Sequence, residues 1–242
     1  MEKIPKIIHY CWFGKNKIPN NVENCIRSWK RYCPDYEIIQ WNESNYNIEN
    51  KCRFVRQAYE KKKWAFVSDV ARFKILYENG GLYFDTDVMV KKSFDSLLNR
   101  KAFMGFENDL YLTSAVMGFE PHFPILKEFV DWYKDKTFIN ADGSINNTAN
   151  VVMMTDICKK YGLIINNQFQ TVAGIDIYPT EYFCPLDFYH NDNTTSNTMA
   201  VHLFDASWLE EDTKRMVDKE RSLHYKAWVA VKRLIKKCIR RS

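Results

Sequence analysis

Strand-like and helix-like segments alternate along the first hundred residues, each marked by its own hydrophobic period. Residues 6–12 form a short apolar run that ends at a turn on Gly14, and they read as a buried strand. Residues 20–31 place Val22, Ile26 and Trp29 on one helical face, and Pro34-Asp35 breaks the pattern. Residues 37–41 give a second strand and 54–62 a second helix. In residues 64–79, Val67, Val70, Phe73 or Lys74, and Tyr77 recur at helical spacing, and Asn79-Gly80-Gly81 stops that helix. Residues 82–85 are the next strand. The alternation continues to about His202, with a helix opened by Pro124 through Trp132 and a last strand over 199–204. Residues 140–147 and 190–198 are polar loops. The pattern predicts an α/β fold with a mostly parallel central sheet, whose ligands bind beyond the carboxyl ends of the strands.

A chain of 242 residues with 46% hydrophobic content can bury a substantial core in one large domain. The net charge of +5 is unevenly placed. Residues 213–242 hold eleven Lys or Arg against Asp218 and Glu220, a charge of +9, which leaves −4 on the body. We therefore divide the chain into a body, 1–211, and a basic tail, 212–242, that reads as a helix. In that helix Trp228, Val231, Leu234 or Ile235, and Cys238 share one side. Such a helix is expected either to lie on an anionic bilayer or to pack on the body with a solvated basic face. Nucleic acid is not an expected partner, because the basic charge is confined to one terminal segment. Seven cysteines without Cys-x-x-Cys spacing read as reduced thiols of a cytoplasmic protein; the bilayer reading of the tail places that protein peripherally at the inner face of the cell membrane. No apolar run is long enough for a secretion signal or a membrane span.

The chemistry concentrates in Ser68-Asp69-Val70-Ala71-Arg72 and in Leu82-Tyr83-Phe84-Asp85-Thr86-Asp87. Asp69 and Arg72 are three apart on a helix and so share a face. Asp85 and Asp87 close an apolar strand, and in extended chain their spacing points both carboxylates the same way. Paired hard oxygen ligands suit Mg²⁺ or Mn²⁺, and such an ion can neutralise charge on a departing diphosphate. Taken singly, Asp-x-Asp is a common turn, and an Asp-Arg pair on a helix is a surface ion pair of little worth. Their apolar surroundings and the glycine turn between them favour a site.

The block Ser-Asp-x-x-Arg, Asn-Gly-Gly, Leu-Tyr-Phe-Asp-Thr-Asp resembles the sugar-binding region of the glycosyltransferase families that include yeast initiating mannosyltransferases and bacterial capsule or lipopolysaccharide glycosyltransferases (family 32). It resembles the glucosylating clostridial toxins more distantly. Ile4 to Trp12 is similar to that family's first strand, and His202-Leu203-Phe204-Asp205-Ala206-Ser207-Trp208 to its closing loop. The resemblance implies a GT-A-like nucleotide-sugar-binding fold and retaining transfer from a nucleotide-sugar donor, UDP-sugars by default. The acceptor it implies is a glycan or lipid-linked oligosaccharide in surface polysaccharide synthesis. It also implies roles. His9 belongs to the donor-binding set, and Trp12 stacks on the base. Asp69 and Arg72 hold sugar hydroxyls, with Tyr83 near ribose or sugar. Asp85 contacts ribose and sugar, and Asp87 binds the metal; these two are the catalytic pair. Metal ligation falls to Asp87, Asp85 and His202, and Ser207 and Trp208 close over the diphosphate. Three positions depart from the family: Leu203 where many relatives have a second His, Ala206 where a relative has Gly, and Ser114 where relatives often have Asn. No general base is assigned; the acidic turn Glu107-Asn108-Asp109 follows a strand from which it can face the site, and no residue of it is given a role.

Two other classes remain open at this point. The strand ending Asp-Thr-Asp-Val also resembles the nucleophile strand of haloacid-dehalogenase phosphohydrolases, but that class needs a later Gly-Asp pair, for which Gly174-Ile175-Asp176 is a poor substitute. A non-enzymatic sugar-binding module would need the aromatic residues without the carboxylates and the Asp69-Arg72 pair together.

Overall fold

The computed structural model describes residues 3–146, 148–187 and 191–205, together with Lys219. The remaining tail expected to be a helix lies outside the described residues, as do Ser207 and Trp208. In chain order the elements are β1 (Ile7–Cys11), α1 (Asn20–Tyr32), β2 (Glu37–Trp41), α2 (Arg53–Glu60), α3 (Trp64–Asn79) and β3 (Gly81–Phe84). Then come β4 (Val88–Val90), β5 (Ala102–Gly105), β6 (Val116–Phe119), α4 (Pro124–Trp132) and α5 (Asn150–Lys160). The chain closes through β7 (Gln170–Val172), β8 (Ile175–Tyr178), α6 (Thr180–Phe183) and β9 (Ala200–His202). Helices α3 and α4 have the bounds read from the sequence, and most other ends move by one or two residues.

Seven strands form one sheet in the order β2-β1-β3-β6-β5-β8-β7, and β4 pairs with β9 in a second, two-stranded sheet. In the large sheet β1 runs parallel to β2 and β3, and β5 parallel to β8. Strand β6 opposes β3 and β5, and β7 opposes β8, so five of the seven strands share one direction. This is the expected α/β architecture with a mostly parallel sheet. The parallel half follows from its connections: α1 carries the chain from β1 to β2, and α2 with α3 carries it to β3.

Strand β3 is buried along its whole length. Leu82 and Phe84 pack with Ile8, Tyr10, Trp29 and Val88, while Tyr83 packs on the other side with Val67, Phe73 and Met117. This is the two-residue period of a strand covered on both faces. Trp29 of α1 is fully buried and donates its indole N–H to the Val88 carbonyl at 2.7 Å, which pins α1 against β4. Helix α3 is buried nearly all round, at Val67, Val70, Ala71, Arg72, Phe73, Ile75 and Leu76. A helix so enclosed carries any charge on its inner face into the protein.

The α3–β3 junction depends on two glycines in positive φ, Gly80 at 65° and Gly81 at 93°. A Cβ on Gly81 would lie 2.7 Å from the Ile7 carbonyl oxygen. Only glycine permits that approach, and it lets a helix turn directly into a strand beside β1. Among the described residues six cysteines, five of them buried, are free thiols. Among the described residues no helix is long and apolar enough to cross a membrane.

Candidate active site

Arg72 organises the site. It is 4% exposed, and all three of its guanidinium nitrogens donate within the protein. Nη2 donates to Asp69 Oδ1 at 2.9 Å; Nη1 donates to Asp85 Oδ2 at 2.9 Å and to the Ser114 carbonyl and hydroxyl at 3.1 and 2.9 Å. Nε reaches the Ser68 carbonyl one turn back at 3.3 Å. The guanidinium carbon stands 4.8 Å from the centre of the Tyr83 ring, a cation–π contact. The Tyr83 hydroxyl donates to Asp85 Oδ1 at 3.1 Å. The pair that would be a surface ion bridge on an isolated helix is therefore a buried hub, since α3 is covered by the sheet and by α4.

Burial pushes the Asp69 carboxyl up to about 6; Arg72 pulls it down and Asp85 pushes it up further. Burial alone would lower Arg72, but Asp85, Tyr83 and Asp69 hold it well above its ordinary value. The hub is thus one cation facing two carboxylates, with a dense set of charge-assisted hydrogen bonds.

The Asp85-Thr86-Asp87 segment is not extended. The Val88 amide donates to the Asp85 carbonyl at 3.1 Å, closing a tight turn between β3 and β4. The expectation that strand alternation aims both carboxylates one way is corrected accordingly: the two are held by different partners. Asp85 faces Arg72 and Tyr83, whereas Asp87 faces the end of β9. Pairing of Val88 with His202 puts the imidazole beside Asp87, with His202 Nε2 3.4 Å from Asp87 Oδ2. The Asp205 amide donates to the same oxygen at 3.0 Å, and the Leu203 amide to the Asp87 carbonyl at 3.0 Å. Burial opposes the charge on both side chains. Their attraction outweighs it, so Asp87 sits below the usual carboxylate range and His202 well above its ordinary value.

Asp87 and His202 would suit a divalent ion such as Mn²⁺ or Mg²⁺, because a hard oxygen and an imidazole, the latter once deprotonated, meet where the turn after β3 reaches the end of β9. Among the described residues no three His, Cys, Asp or Glu side chains converge on such a point. Asp85 is held apart from this pair, with one bond on each carboxylate oxygen, from Arg72 and from Tyr83; each oxygen keeps a lone pair for a further donor or ligand.

His9 is fully buried, and both ring nitrogens are spent within the protein. Nε2 donates to the Gly80 carbonyl at 2.9 Å, and Nδ1 accepts the Trp41 indole N–H at 3.1 Å. Burial drives its pKa down to about 4, against the raising effect of the Gly80 bond, so it is a neutral structural side chain. Its expected place in the donor set is corrected on that ground. Trp12 is half-buried just past β1 and donates its indole N–H to the Asn16 carbonyl at 2.8 Å. It lines a depression of about 330 Å³ with Lys15, Gln40, Asn42 and Glu43. The Arg72 hub does not line that depression.

Three polar residues join the site without a sequence role. Ser114 receives Arg72. Asn150, at the start of α5, bonds Asp69 and Ser114. Glu107, in the turn after β5, is raised by burial and by Asp85 and Asp87, against the lowering pull of His202 and Arg72. Ser114 left a sequence signal as a departure from the family pattern and Glu107 as part of an acidic turn after a strand; Asn150 left none.

Comparison with known proteins finds likeness over the segment that carries these residues. Residues 19–104 match the family model described as a glycosyltransferase sugar-binding region containing a DXD motif. Inositol phosphoceramide mannosyltransferase 1 of Schizosaccharomyces pombe is 35% identical over 126 residues, covering 46% of this chain and 39% of that protein. An uncharacterized glycosyltransferase, L373, of Acanthamoeba polyphaga mimivirus is 26% identical over 226 residues, 85% of this chain and 84% of that one. The chain spans well under two thirds of the length of the first curated relatives it matches, 39% and 36%. Among solved structures, the PaToxG glycosyltransferase superposes with a TM-score of 0.53 at 20% identity, over 66% of this chain and 69% of that one, which is likeness of fold. The segment that holds Asp69, Arg72, Tyr83, Asp85 and Asp87 thus lies within the match to a DXD-containing glycosyltransferase sugar-binding region, in a chain whose α/β fold is GT-A-like.

Proposed function

We propose that this chain is a metal-dependent, retaining glycosyltransferase that moves a sugar from a nucleoside diphosphate sugar onto a glycan or lipid-linked acceptor. The observation that carries the proposal is the buried Arg72 fork joining Asp69 to Asp85, next to the Asp87–His202 pair. Asp69 and Arg72 supply charged hydrogen-bonding partners for sugar hydroxyls. Asp85, braced by Tyr83, accepts from a sugar or ribose hydroxyl. A divalent ion held by Asp87 and His202 would neutralise charge on the departing diphosphate. Trp12 offers a flat apolar face for the base. Retention of configuration rests on the family resemblance. The mannosyltransferase names of several relatives bring GDP-mannose beside the UDP-sugars as a donor, and a glycolipid beside a glycan as an acceptor.

The phosphohydrolase alternative loses support. Asp176 lies on β8, three strands from β3, where Arg100 (3.2 Å) and Thr171 (2.8 Å) hold its carboxylate. A bare sugar-binding module would not account for Asp87 facing His202. The test is nucleoside diphosphate release from UDP-glucose, UDP-galactose and GDP-mannose, with Mn²⁺ or chelator, for wild type and Asp87→Ala. We expect metal-dependent release from one donor, reduced about 100-fold or more in Asp87→Ala. Equal rates in the two proteins would refute the assignment. Phosphomonoester hydrolysis in place of donor turnover would restore the phosphohydrolase.

A further inference from the structure

Asn150 opens α5, 81 residues beyond Asp69, and is 5% exposed. Its amide is gripped from both ends. Nδ2 donates to Asp69 Oδ1 at 2.9 Å, and Oδ1 accepts the Ser114 hydroxyl at 3.2 Å. A carboxamide donates at one end and accepts at the other, so these contacts fit one orientation of the group only. The Ser114 hydroxyl also accepts from Arg72, which donates to Asp69. The four side chains therefore close a ring: Asp69, Arg72, Ser114, Asn150.

Ring closure fixes the Asp69 carboxylate. Oδ1 receives both Arg72 and Asn150, so Oδ2 is the oxygen left to meet a ligand, on a side chain that stays 17% exposed. Helix α5 does not depend on Asn150 for its place. The Thr155 hydroxyl accepts the Leu112 amide at 2.9 Å, and Met153, Met154, Ile157 and Cys158 are buried in the core.

We propose that Asn150 is a positioning residue, which turns Asp69 so that its outward oxygen meets a hydroxyl of the donor sugar. This rests on the donor-site assignment above. The other ionisable groups facing Asp69 are Arg72 on its own helix, Asp85 after β3 and the Tyr133 hydroxyl after α4. Asn150 adds a neutral donor that favours the charged carboxylate, so its removal moves Asp69 ionisation upward.

Two readouts on Asn150→Ala and on Asn150→Leu, which keeps the packing volume without a polar group, test the proposal. The first is steady-state hydrolysis of the best wild-type donor among UDP-glucose, UDP-galactose and GDP-mannose, with inhibition by the matching nucleoside diphosphate. The expected result is a KM for the sugar nucleotide raised about tenfold, the loss of one charge-assisted hydrogen bond, with the diphosphate Ki changed less than about twofold. An unchanged KM, or KM and Ki rising together, overturns the proposal. The second is denaturant unfolding from pH 4 to 8, each protein read against its own Asp69→Asn partner. The Asp69 titration is expected about one pH unit higher without the Asn150 amide. If wild type turns over none of the donors, the donor-site assignment fails. The unfolding series still decides whether Asn150 holds Asp69, and an unmoved titration overturns that.

Discussion

Replacing Arg72 with Met is the sharpest perturbation of this site, because it removes one cation from between two carboxylates and nearly keeps the volume. The Arg72 side chain is 5% exposed, and those of Asp69 and Asp85 are 17% and 25% exposed. Breaking a fully buried pair costs about 3–5 kcal/mol; the residual exposure of both acids places Arg72→Met near the lower end, about 3 kcal/mol at pH 8. The cost must also depend on pH. In wild type the folded Asp69 pKa, about 6, lies above the unfolded value of 3.8. The folded state therefore binds the extra proton, and this contribution to stability is present below about 4 and lost as pH rises through about 6. Arg72 is the group that pulls Asp69 down, so without it Asp69 stays protonated to higher pH and the buried charge disappears at pH 5. Guanidinium unfolding at pH 8 and pH 5 should show a penalty of about 3 kcal/mol falling below about 2 kcal/mol. Asp69→Asn should recover part of the loss at pH 8 when combined with Arg72→Met. A penalty under about 1 kcal/mol, or one equal at both pH values with no recovery in the double variant, would refute the hub as the source of the energy.

His9 gives a second pH signature, of opposite sign. Its folded pKa, about 4, lies below the unfolded 6.5, so the unfolded chain takes the proton first and stability falls as pH drops from 6.5 to 4. The full effect is about 3 kcal/mol, and His9→Gln should flatten the unfolding profile in that window; matching slopes would show that the buried neutral imidazole is not the cause. The tail bears on localisation. We propose that the basic, Trp228-containing segment attaches the chain to the cytoplasmic face of an anionic membrane, near a lipid-linked acceptor. Liposomes rich in phosphatidylserine should sediment the whole chain but not one ending at Arg221, and equal sedimentation would defeat attachment through the tail.

What the sequence determined by itself was local. The α3 helix, its stop at Asn79-Gly80-Gly81 and strand β3 were legible because helical period, glycine turns and apolar strand runs act over a few residues. Placing Asp69 with Arg72 needed only their spacing of three, and the α/β class followed from the alternation of elements. Burial of that pair did not follow, because it depends on what covers α3. The tertiary structure alone decided which charges meet. Arg72 reaches Asp85 across 13 residues, Asn150 reaches Asp69 across 81, and the β4–β9 register sets His202 beside Asp87. The sequence pattern also pointed both carboxylates of Asp85-Thr86-Asp87 the same way, and it was the turn closed by the Val88 amide that divided them between Arg72 and His202. His9 followed the same rule: its strand position was legible, but the Gly80 carbonyl and the Trp41 indole that make it structural come from other elements. Such contacts carry no local period. They arise when strands pair and helices pack, and burial then multiplies the worth of each charge that finds a partner.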